Sequence, residues 1–473
     1  MFFNLLNQSS QAIAAIEGDN RLTYAELEAR CVDFSAKLAK PRQLIFLKAH
    51  NNIPSLVAYL AALRSQHPIM LLSPDISQGQ LDSLIQIYQP NVLIENLSIT
   101  HLHARPIDLS DELAILLSTS GSTGSAKQIA LSAHNLQANA RSICAYLPIR
   151  PDDRSVTTLP FFYSYGLSVI NSHLLAGACI VFTGHSLVNR EFWRLFKQQR
   201  ITSFAGVPHS YEILLKLRFT GMELPSLRYF TQAGGRLSPA LVEEIADYAC
   251  AQHKQFFVMY GQTEATARMA YLPGDRAKLK PASIGRAIPD GQLLLQDEQG
   301  QKITGHGLPG ELVYQGPNVM LGYVASCTDL GTFKAPEYLL SGDIAYRDED
   351  GDFFITGRLK RFVKLLGQRI SLDEVEQWLA ELGHETYCCG DDKGLIVAVS
   401  AGSSTTAVEQ DKLPDDNKGL NTLLCKRLQL HHSLIQCLVL DGLPLTASGK
   451  KDYQQVLRLA AKQADGLPGN QHG

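Results

Sequence analysis

Hydrophobic and polar positions along the first part of the chain switch between the spacing of a helix and that of a strand. Residues 22–40 place apolar side chains at helical spacing, and residues 44–49 form a short apolar run typical of a buried strand. Helical spacing returns over 53–66, and another strand-like run follows at 68–74. Because helix and strand take turns, the pattern predicts parallel sheet covered by helices.

The same alternation recurs further along the chain. It predicts helices over 135–147, 188–200 and 238–252 and strands over 177–184 and 201–208. The last of these helices has its own start signal, because Ser238 suits the N-cap and Pro239 suits the first helical position.

The pattern changes after about residue 283. Glycine and proline become frequent, and short alternating runs such as 310–316 and 352–357 indicate antiparallel strands. A further change follows at residues 357–382. Within it, 371–382 predicts a helix with Ser371 at its N-cap, and 394–402 has the pattern of a strand.

These patterns predict an α/β fold with two domains. We expect a large N-terminal domain over 1–357, made of parallel αβ-layered sheets plus a β-barrel-like section. A hinge at 358–360 would join it to a small, mobile α/β C-terminal domain over 361–473. The length agrees with this division, because 473 residues are too many for a single hydrophobic core.

Composition and charge narrow the class of protein. The chain is 45% hydrophobic and 19% charged, and 43 Lys and Arg against 46 Asp and Glu give a net charge of −3. This balance favours neither a nucleic-acid partner nor a membrane surface, and no apolar run approaches the roughly 18–20 residues that span a bilayer. The N-terminus lacks a basic segment and carries Glu17 and Asp19 early, so we expect no signal peptide and a cytoplasmic location. The nine cysteines show no C-x-x-C spacing, and we expect reduced thiols.

A loop rich in glycine and hydroxyl residues follows the apolar run that begins at residue 113. Residues 116–128 read LLSTSGSTGSAKQ. Glycines let backbone N–H groups approach a polyanion, hydroxyls donate to phosphate oxygens, and a lysine adds a positive charge. The composition alone also suits a serine-rich surface turn, but the strand that leads directly into the loop favours phosphate binding. The P-loop pattern is excluded, because Gly121 and Gly124 are only three residues apart and Gln128 stands where that pattern needs Ser or Thr.

The stretch STSGSTGSAK resembles the phosphate loop of the adenylate-forming superfamily. That superfamily comprises acyl-CoA synthetases, the adenylation domains of peptide synthetases and firefly-type luciferases. This sequence departs from its pattern at Ala126, where proline is usual. The resemblance implies that the ATP phosphates are held by Thr119, Ser120, Gly121, Ser122, Thr123, Gly124 and Lys127.

Two more segments resemble the nucleotide-binding motifs of that superfamily. In TQAGGRLS (231–238), the resemblance places Ala233, Gly234 and Gly235 along the adenine and the acid pocket. In YGQTEAT (260–266), it implies that Tyr260 lies against adenine, that Gly261 and Gln262 also line the nucleotide site, that Thr263 meets the α-phosphate, and that Glu264 holds Mg²⁺. These residue types suit their roles, since a carboxylate is a good ligand for a hard cation.

Segments near the C-terminus complete the resemblance. Residues 341–358 match a motif that assigns Asp343 to the ribose hydroxyls and Arg358 beside it, whereas 310–324 match a structural element. Residues 357–376 resemble the hinge region, with Lys360 on the hinge and Gly367 where the thiol acceptor approaches. PLTASGKKD (444–452) makes Lys450 the catalytic lysine.

The resemblance implies an AMP-forming acid–thiol ligase that uses ATP and Mg²⁺. It would convert a small carboxylic acid to an acyl-adenylate with release of pyrophosphate and then transfer the acyl group to coenzyme A. Two anions must meet in the first step, so neutralisation by Lys450 and Mg²⁺ and accurate positioning would dominate. A separate alternative remains, in which the acceptor is the phosphopantetheine of an acyl or peptidyl carrier protein.

The expected acid pocket is aromatic. Residues 159–169 contain no acidic residue to pair with an α-ammonium, and Tyr163 stands where histidine is usual in acyl- and aryl-CoA synthetases. This favours an apolar or aromatic acid over an amino acid. The residues expected to line the pocket are Phe162, Tyr163, Tyr165, Gly166, Gly206, Val207 and Ala233.

Three other classes of function remain to be weighed against this one. A P-loop kinase or ATPase would release phosphate instead of pyrophosphate, and the missing GK[ST] element argues against it. A luciferase-type enzyme, which oxidises the adenylate, would have the same fold, and its consumption of oxygen would distinguish it. A binding module without activity would lack some of the polar motif residues, all of which are present here.

Overall fold

The structure is a computed structural model, and it describes residues 1–5, 8–38, 41–118, 127–359, 361–366, 368–382, 384–400 and 417–465. Within these ranges the strands form a nine-stranded, a seven-stranded and a five-stranded sheet, followed by a three-stranded sheet and a two-stranded hairpin. No helix in the same ranges is both long enough and apolar enough to cross a bilayer.

The first part of the chain contributes alternating strands and helices to the two largest sheets. Its elements are β1 (Ile13–Glu17), β2 (Asn20–Thr23), α1 (Tyr24–Ser35), β3 (Ile45–Lys48), α2 (Ile53–Arg64), β4 (Ile69–Leu72), α3 (Gln78–Tyr88), β5 (Val92–Glu95), β6 (Ser98–His101), β7 (Leu113–Ser118) and β8 (Gln128–Ser132). Helix α1 begins two residues later than the hydrophobic pattern predicts. The cause is a capping box, in which Thr23 Oγ1 accepts from Glu26 N at 3.2 Å while the Glu26 carboxylate accepts from Thr23 N at 2.8 Å.

The middle part completes the nine-stranded sheet. Its elements are α4 (Ala133–Tyr146), β9 (Arg154–Val156), α5 (Ser164–Ala176), β10 (Cys179–Phe182), α6 (Arg190–Gln198), β11 (Ser203–Gly206), α7 (Pro208–Lys216), β12 (Tyr229–Gln232), α8 (Pro239–Ala251), β13 (Gln255–Tyr260), β14 (Ala270–Pro273), α9 (Gly274–Ala277) and β15 (Arg286–Ala287). Helix α8 begins as predicted, because Ser238 Oγ accepts from Leu241 N and Pro239 is the first helical residue.

The antiparallel section and the C-terminal part follow. Their elements are β16 (Gln292–Gln296), β17 (Lys302–Ile303), β18 (Gly310–Gln315), β19 (Gly322–Val324), β20 (Leu339–Arg347), β21 (Phe353–Arg358), β22 (Phe362–Leu365), β23 (Gln368–Ser371), α10 (Leu372–Glu381), β24 (Thr386–Asp391), β25 (Gly394–Ser400), α11 (Asn417–Leu428), β26 (Ile435–Leu440) and α12 (Tyr453–Asp465). Short 3-10 turns lie at Phe219–Gly221, Thr263–Ala265, Cys327–Asp329 and His432–Leu434.

Parallel strands form the interior of both large sheets, and antiparallel strands cover their edges. The nine-stranded sheet has the order β15-β14-β13-β12-β11-β9-β10-β1-β2, and the seven-stranded sheet has the order β19-β8-β7-β4-β3-β5-β6. In the nine-stranded sheet the neighbouring strands β13, β12, β11, β9, β10 and β1 are parallel, and in the seven-stranded sheet so are β7, β4, β3 and β5. The edge strands pair antiparallel: β14, β15, β2, β8, β19 and β6. The predicted parallel, helix-covered sheets are therefore confirmed for the interior strands. The reversal between β1 and β2, and that between β5 and β6, follow from connections of two residues, which are too short for a parallel crossover.

One hydrophobic core joins the two large sheets through helices. Side chains of β1, β3 and β10 share a cluster with those of α1, α2 and α5. Helix α2 is buried almost throughout, which explains why its sequence is apolar on every side. The α/β fold class predicted from sequence is confirmed, and the section expected to be barrel-like is an open antiparallel sheet of order β17-β16-β18-β20-β21.

The topology places the ends of three parallel strands side by side. Gly206 at the end of β11 pairs with Gln232 at the end of β12, and Gln232 pairs with Val258 of β13. The carboxyl ends of neighbouring parallel strands form the crevice where α/β proteins bind ligands. The segments that continue from these strands, 207–208, 233–235 and 261–264, therefore share one face of the molecule.

Candidate functional site

Asp343 and Arg358 face each other across the last two strands of the antiparallel sheet. They are register partners on β20 and β21, and Arg358 Nε donates to Asp343 Oδ1 at 2.8 Å. The Asp343 side chain is 3% exposed, whereas that of Arg358 is 61% exposed. The pairing holds a buried carboxylate in one orientation and leaves its cationic partner within reach of a ligand.

The second oxygen of Asp343 links this pair to the end of β13. Tyr260 Oη donates to Asp343 Oδ2, and Gln262 Nε2 donates to the same atom at 3.2 Å. Burial and the adjacent carboxylate raise the pKa of Tyr260, so its hydroxyl keeps the proton that it donates. A carboxylate offers about four lone-pair positions and three donors occupy Asp343, so it retains the capacity to accept from a ligand hydroxyl.

Gly261 is required by a close approach of two backbone segments. A Cβ atom at this position would lie 1.8 Å from the carbonyl oxygen of Ala267. Any larger residue would therefore displace the backbone at Ala267 and Arg268, just beyond the turn Thr263–Ala265. The glycine lets Thr263 and Glu264 sit directly beyond the strand end.

Thr263 and Glu264 bring a hydroxyl and a carboxylate to the same face. Thr263 is buried, and its Oγ1 lies 3.1 Å from Ser164 Oγ at the start of α5. Glu264 is half-buried, and its Oε1 accepts from Tyr323 Oη at 3.1 Å. Lys127 Nζ lies 3.6 Å from the centre of the Tyr323 ring. A half-buried carboxylate of this kind suits a hard cation such as Mg²⁺.

Lys450 reaches the site from the turn that precedes α12. Gly449 has φ +75°, and Lys450 N donates to Thr446 Oγ1 at 3.1 Å, which fixes the turn. Lys450 Nζ lies 5.0 Å from the centre of the Tyr163 ring. The lysine is thus held against an aromatic residue that is 287 positions earlier in the sequence, since 450 minus 163 is 287.

Gly234 makes room for this contact. Its φ is +86°, and a Cβ atom there would lie 2.6 Å from Tyr163 Oη and 3.5 Å from Lys450 Cε. The same atom would lie 3.1 Å from Val207 Cγ1. The predicted residues Tyr163, Val207, Gly234 and Lys450 therefore meet in one place, and only glycine fits between them.

The environment of Lys450 changes its acidity. Burial, and after it the nearby Arg358 guanidinium, lower the pKa of Lys450 to about 8, while the Glu264 carboxylate acts in the opposite direction. Lys450 is therefore electrostatically coupled to two of the other predicted site residues. An anion placed among these three groups would favour the charged form of the lysine.

The remaining predicted pocket residues separate into two groups. Gly206 and Gly166 are tightly enclosed, because a Cβ atom would lie 2.8 Å from the Tyr211 ring in the first case and 2.3 Å from Pro160 O in the second. Phe162 packs instead against the core between the two large sheets. Tyr163, the next residue, shares a cluster with Val207. Adjacent residues point to opposite sides here, so only Tyr163 faces the strand ends.

Several predicted site residues lie outside the described ranges. They are Thr119, Ser120, Gly121, Ser122, Thr123 and Gly124 of the loop, Lys360 of the hinge and Gly367. Lys127, Ala233 and Gly235 are described, and Ala233 is buried beside Tyr163 and Val207 while Gly235 is exposed.

With this geometry established, comparison with known proteins gives the family. The family model described as AMP-binding enzyme matches residues 2–324. The chain belongs to the AMP-binding enzyme family.

Curated relatives of this AMP-binding enzyme include ligases of two kinds. It is 24% identical to oxalate–CoA ligase of Arabidopsis thaliana, over 92% of this chain and 93% of that protein. It is 27% identical to L-proline–[L-prolyl-carrier protein] ligase of Pseudomonas fluorescens, over 93% and 94% of the two chains. A linear gramicidin synthase chain of Brevibacillus parabrevis is 26% identical over 95% of this chain, which spans only 6% of that much longer protein.

Solved structures share the fold. O-succinylbenzoate coenzyme A synthetase from Bacillus subtilis, solved in complex with ATP and magnesium ion, superposes with a TM-score of 0.75 at 21% identity. The match covers 96% of this chain and 98% of that one. The AMP-binding enzyme therefore has this fold over nearly its whole length, C-terminal part included.

Contacts in the site of this AMP-binding enzyme also involve residues that the sequence motifs did not indicate. Ser164 contacts Thr263, and Tyr323 contacts both Glu264 and Lys127. Arg268 is fully buried close to Tyr165. The sequence signals Arg268 in one way. It is a charged residue in the otherwise apolar stretch ARMAYL (267–272), which follows the Y-G-x-T-E motif.

Proposed function

We propose that this chain is an AMP-forming acid–thiol ligase, which activates a carboxylic acid with ATP and transfers the acyl group to the thiol of coenzyme A. The observation that carries the proposal is the position of Lys450. It lies against Tyr163 and Gly234 at the carboxyl ends of β11 and β12, with Arg358 and Glu264 close enough to change its pKa.

The polar residues of the site divide the work of binding ATP. The carboxylate of Asp343, supported by Arg358, accepts from the ribose hydroxyls. Tyr260 presents a ring for the adenine, and Thr263 presents a hydroxyl for the α-phosphate. The loop at 119–124 and Lys127 hold the β- and γ-phosphates. This division uses each residue for the chemistry that its side chain offers.

Glu264 is the residue that would hold Mg²⁺. Its carboxylate is half-buried and oriented by Tyr323 Oη, an arrangement that suits a hard divalent cation. When bound, Mg²⁺ would neutralise the charge of the phosphates. The chain's own contribution is the fixed orientation of the carboxylate and the cation of Lys127, which lies over the face of the Tyr323 ring.

The first step joins two anions, so charge neutralisation decides its rate. A carboxylate oxygen of the acid attacks the α-phosphorus, the bond to the bridging oxygen of the β-phosphate breaks, and pyrophosphate leaves. Lys450, as the ammonium, lies between the incoming carboxylate and the α-phosphate. Tyr163, Gly234 and Val207 hold it there, and this preorganisation removes the need to reorient the cation during the reaction.

In the second step a thiol attacks the acyl carbonyl and AMP leaves. We propose that residues 361–473 act as a mobile unit that moves about Lys360, withdraws Lys450 and brings Gly367 toward the site, because one face cannot hold the lysine and admit a thiol together. A few residues at a hinge are enough to absorb such a motion.

A second candidate differs only in the acceptor. The chain could load the phosphopantetheine of a separate carrier protein, and the relative from Pseudomonas fluorescens, a ligase named for its carrier protein, favours this acceptor. Both acceptors end in the same thiol. Product analysis with coenzyme A and with a purified carrier protein would distinguish them.

The proposal is tested by ATP–pyrophosphate exchange across a panel of fatty, aryl, dicarboxylic and amino acids. We expect acid-dependent exchange that Lys450→Ala abolishes. Lys462→Ala is the matched control, because Lys462 is exposed on α12 and should leave exchange unchanged. Release of phosphate in place of pyrophosphate would contradict the proposal, as would equal activity of the two variants.

The same Lys450→Ala variant tests the two-step mechanism. It should still convert a preformed acyl-adenylate to the thioester, because the lysine is withdrawn in that step. If the variant consumes neither the acid nor the preformed acyl-adenylate, the proposed alternation of the C-terminal unit is wrong. Mass spectrometry of the thioester product is the measurement.

A further inference from the structure

Arg268 carries a positive charge into the protein interior beside the acid pocket. It is 1% exposed, and none of the ion pairs formed among the described residues includes it. Its Nη atoms donate to neutral groups, which are Ser168 Oγ at 3.0 Å, Tyr146 Oη at 3.5 Å and the sulfur of Met259. Its Nε is buried and has no hydrogen-bond partner in the part of the chain that the structure describes.

Burying a cation without a neighbouring anion costs free energy, because nothing in the interior replaces the hydration that the cation loses. The Tyr165 ring, whose centre lies 4.3 Å from Arg268 Cζ, offsets part of that cost through a cation–π interaction. It cannot satisfy the unpaired Nε–H, which points to a missing acceptor. The guanidinium presents donors in the planar arrangement that matches a carboxylate.

The backbone that positions Arg268 is held in an unfavourable conformation. Thr266 has φ +62° and Ala267 has φ +146°, both in the region that favours glycine. Asn318 holds this segment, since its Nδ2 donates to Ala265 O at 2.7 Å and to Arg268 O at 2.9 Å. The fold thus holds a strained segment that directs a charged residue inward.

Arg268 lines a small internal cavity that adjoins the predicted acid pocket. Thr231, Tyr229 and His173 also line it, and so does Ala205. His173 supplies no second positive charge. Its Nδ1 donates to Val169 O at 2.7 Å, which leaves Nε2 to accept from Tyr229, and burial lowers the pKa of His173 to about 4.

The cavity and the site of Lys450 are connected by a short series of side chains. Ala205 of the cavity is followed directly by Gly206 and Val207 of the acid pocket. The ring centres of Tyr163, beside Lys450, and Tyr165, beside Arg268, are 6.2 Å apart. The two cations therefore lie on either side of a pair of packed tyrosine rings.

We propose that Arg268 binds a second carboxylate of the acid substrate, remote from the carboxyl that is activated, so that the substrate is a dicarboxylic acid. This inference rests on the proposed function. It changes the expectation drawn from residues 159–169, which favoured an acid whose remaining part is apolar or aromatic. That expectation did not include Arg268, because Arg268 lies outside the stretch. The aromatic rings fit the middle of such a substrate, and the guanidinium fits its far end.

The test compares acids that are matched in shape and differ in the second carboxylate. ATP–pyrophosphate exchange is measured with adipate against hexanoate and with terephthalate against p-toluate. The wild type should favour the dicarboxylate of at least one pair by about tenfold or more in kcat/KM, the effect of a hydrogen bond to a charged group in a buried site. Arg268→Met, which keeps the length and removes the charge, should lower that ratio by a similar factor.

Two more variants control for damage to the fold. Ser168→Ala removes a neutral hydrogen-bond partner of Arg268 and keeps the cation. The ratio of kcat/KM for the dicarboxylate to that for the monocarboxylate should therefore stay within about fivefold of the wild-type value. If circular dichroism shows that Arg268→Met is unfolded, Arg268→Lys replaces it, and the ratio should fall because an ammonium cannot make the bidentate contact.

Each outcome bears on a different proposal. Exchange that favours the monocarboxylates in the wild type, or a ratio that Arg268 substitutions leave unchanged, overturns the carboxylate site while the ligase function stands. The absence of exchange with every acid overturns the proposed function, and this inference with it.

Discussion

The ammonium of Lys450 lies 5.0 Å from the centre of the Tyr163 ring, and the two residues are far apart in the sequence. Gly234 allows this approach, because its missing side chain leaves the space that Tyr163 Oη and Lys450 Cε border. An aromatic ring replaces part of the hydration that the ammonium loses on burial. The contact therefore orients the lysine without neutralising its charge.

The lowered pKa of Lys450 predicts the pH dependence of acyl-adenylate formation. Burial and Arg358 lower this pKa to about 8, so the ammonium is complete below that value and is lost as the pH rises through it. The kcat/KM for the acid, which reports the free enzyme, should decline above pH of about 8. Lys462→Ala should show the same profile as the wild type. A rate that stays constant until the ordinary range of lysine near 10.4 would contradict this prediction.

Gly234→Ala should reduce adenylate formation by at least about tenfold, because the new Cβ would lie 2.6 Å from Tyr163 Oη and would displace the groups that hold Lys450. Gly18→Ala is the matched control. Gly18 also has a positive φ, +58°, but nothing lies within 4 Å of the added Cβ. Both variants should lose about 1 kcal/mol of stability in urea unfolding from the backbone conformation, and only Gly234→Ala should lose exchange activity. Equal exchange rates in the two variants would be the contrary result.

Glu376 connects Arg361, at the start of the C-terminal part, to Lys451, which follows Lys450. Its Oε1 accepts from Arg361 Nη2 at 2.6 Å and its Oε2 accepts from Lys451 Nζ at 2.8 Å, and its side chain is 11% exposed. Glu376→Gln should destabilise the protein by about 1–3 kcal/mol, because Arg361 and Lys451 lose their shared anion, although Arg361 Nε keeps Asp373 Oδ1 at 2.6 Å. Glu374→Gln, on the exposed face of the same helix, should change stability little. Urea unfolding measures both, and similar midpoints for the two variants would refute the prediction.

Tyr323→Phe tests the role of Glu264 in holding the metal ion. The substitution keeps the ring beneath Lys127 and removes the hydroxyl that donates to Glu264 at 3.1 Å. Loss of such an orienting hydrogen bond should raise the Mg²⁺ concentration for half-maximal exchange by about tenfold. Tyr338→Phe is the control, because Tyr338 is 49% exposed and takes no part in the contacts to Glu264 described above. An unchanged Mg²⁺ requirement in Tyr323→Phe would argue against Glu264 as the metal ligand.

Local patterns in the sequence were sufficient for much of the fold. The periodicity of 53–66 and 238–252 predicted α2 and α8, and the start signal at Ser238 and Pro239 was correct. The sequence places a boundary wrongly where two local signals compete. At residues 22–24 the apolar spacing extended the helix, but the capping box of Thr23 ended the preceding strand there.

The sheet edges could not be read from the sequence in the same way. Strands such as β14 and β8 have apolar patterns similar to those of the parallel strands, and their antiparallel pairing depends on which neighbour they meet. Pairing partners are chosen by contacts between distant segments, so a local pattern carries no information about them.

What the sequence determined by itself is the set of residue types and their order: a glycine–hydroxyl loop, a Tyr-Gly-x-Thr-Glu segment, an Asp-Arg pair and a lysine near the C-terminus. What only the tertiary structure decided is which of them meet, and with what neighbours. It brings Lys450 to Tyr163, separates Phe162 from Tyr163, and buries Arg268 without a counter-charge among the residues that the structure describes. The physical reason is that burial, shifted pKa values and unsatisfied hydrogen bonds arise from the packing of segments far apart in sequence.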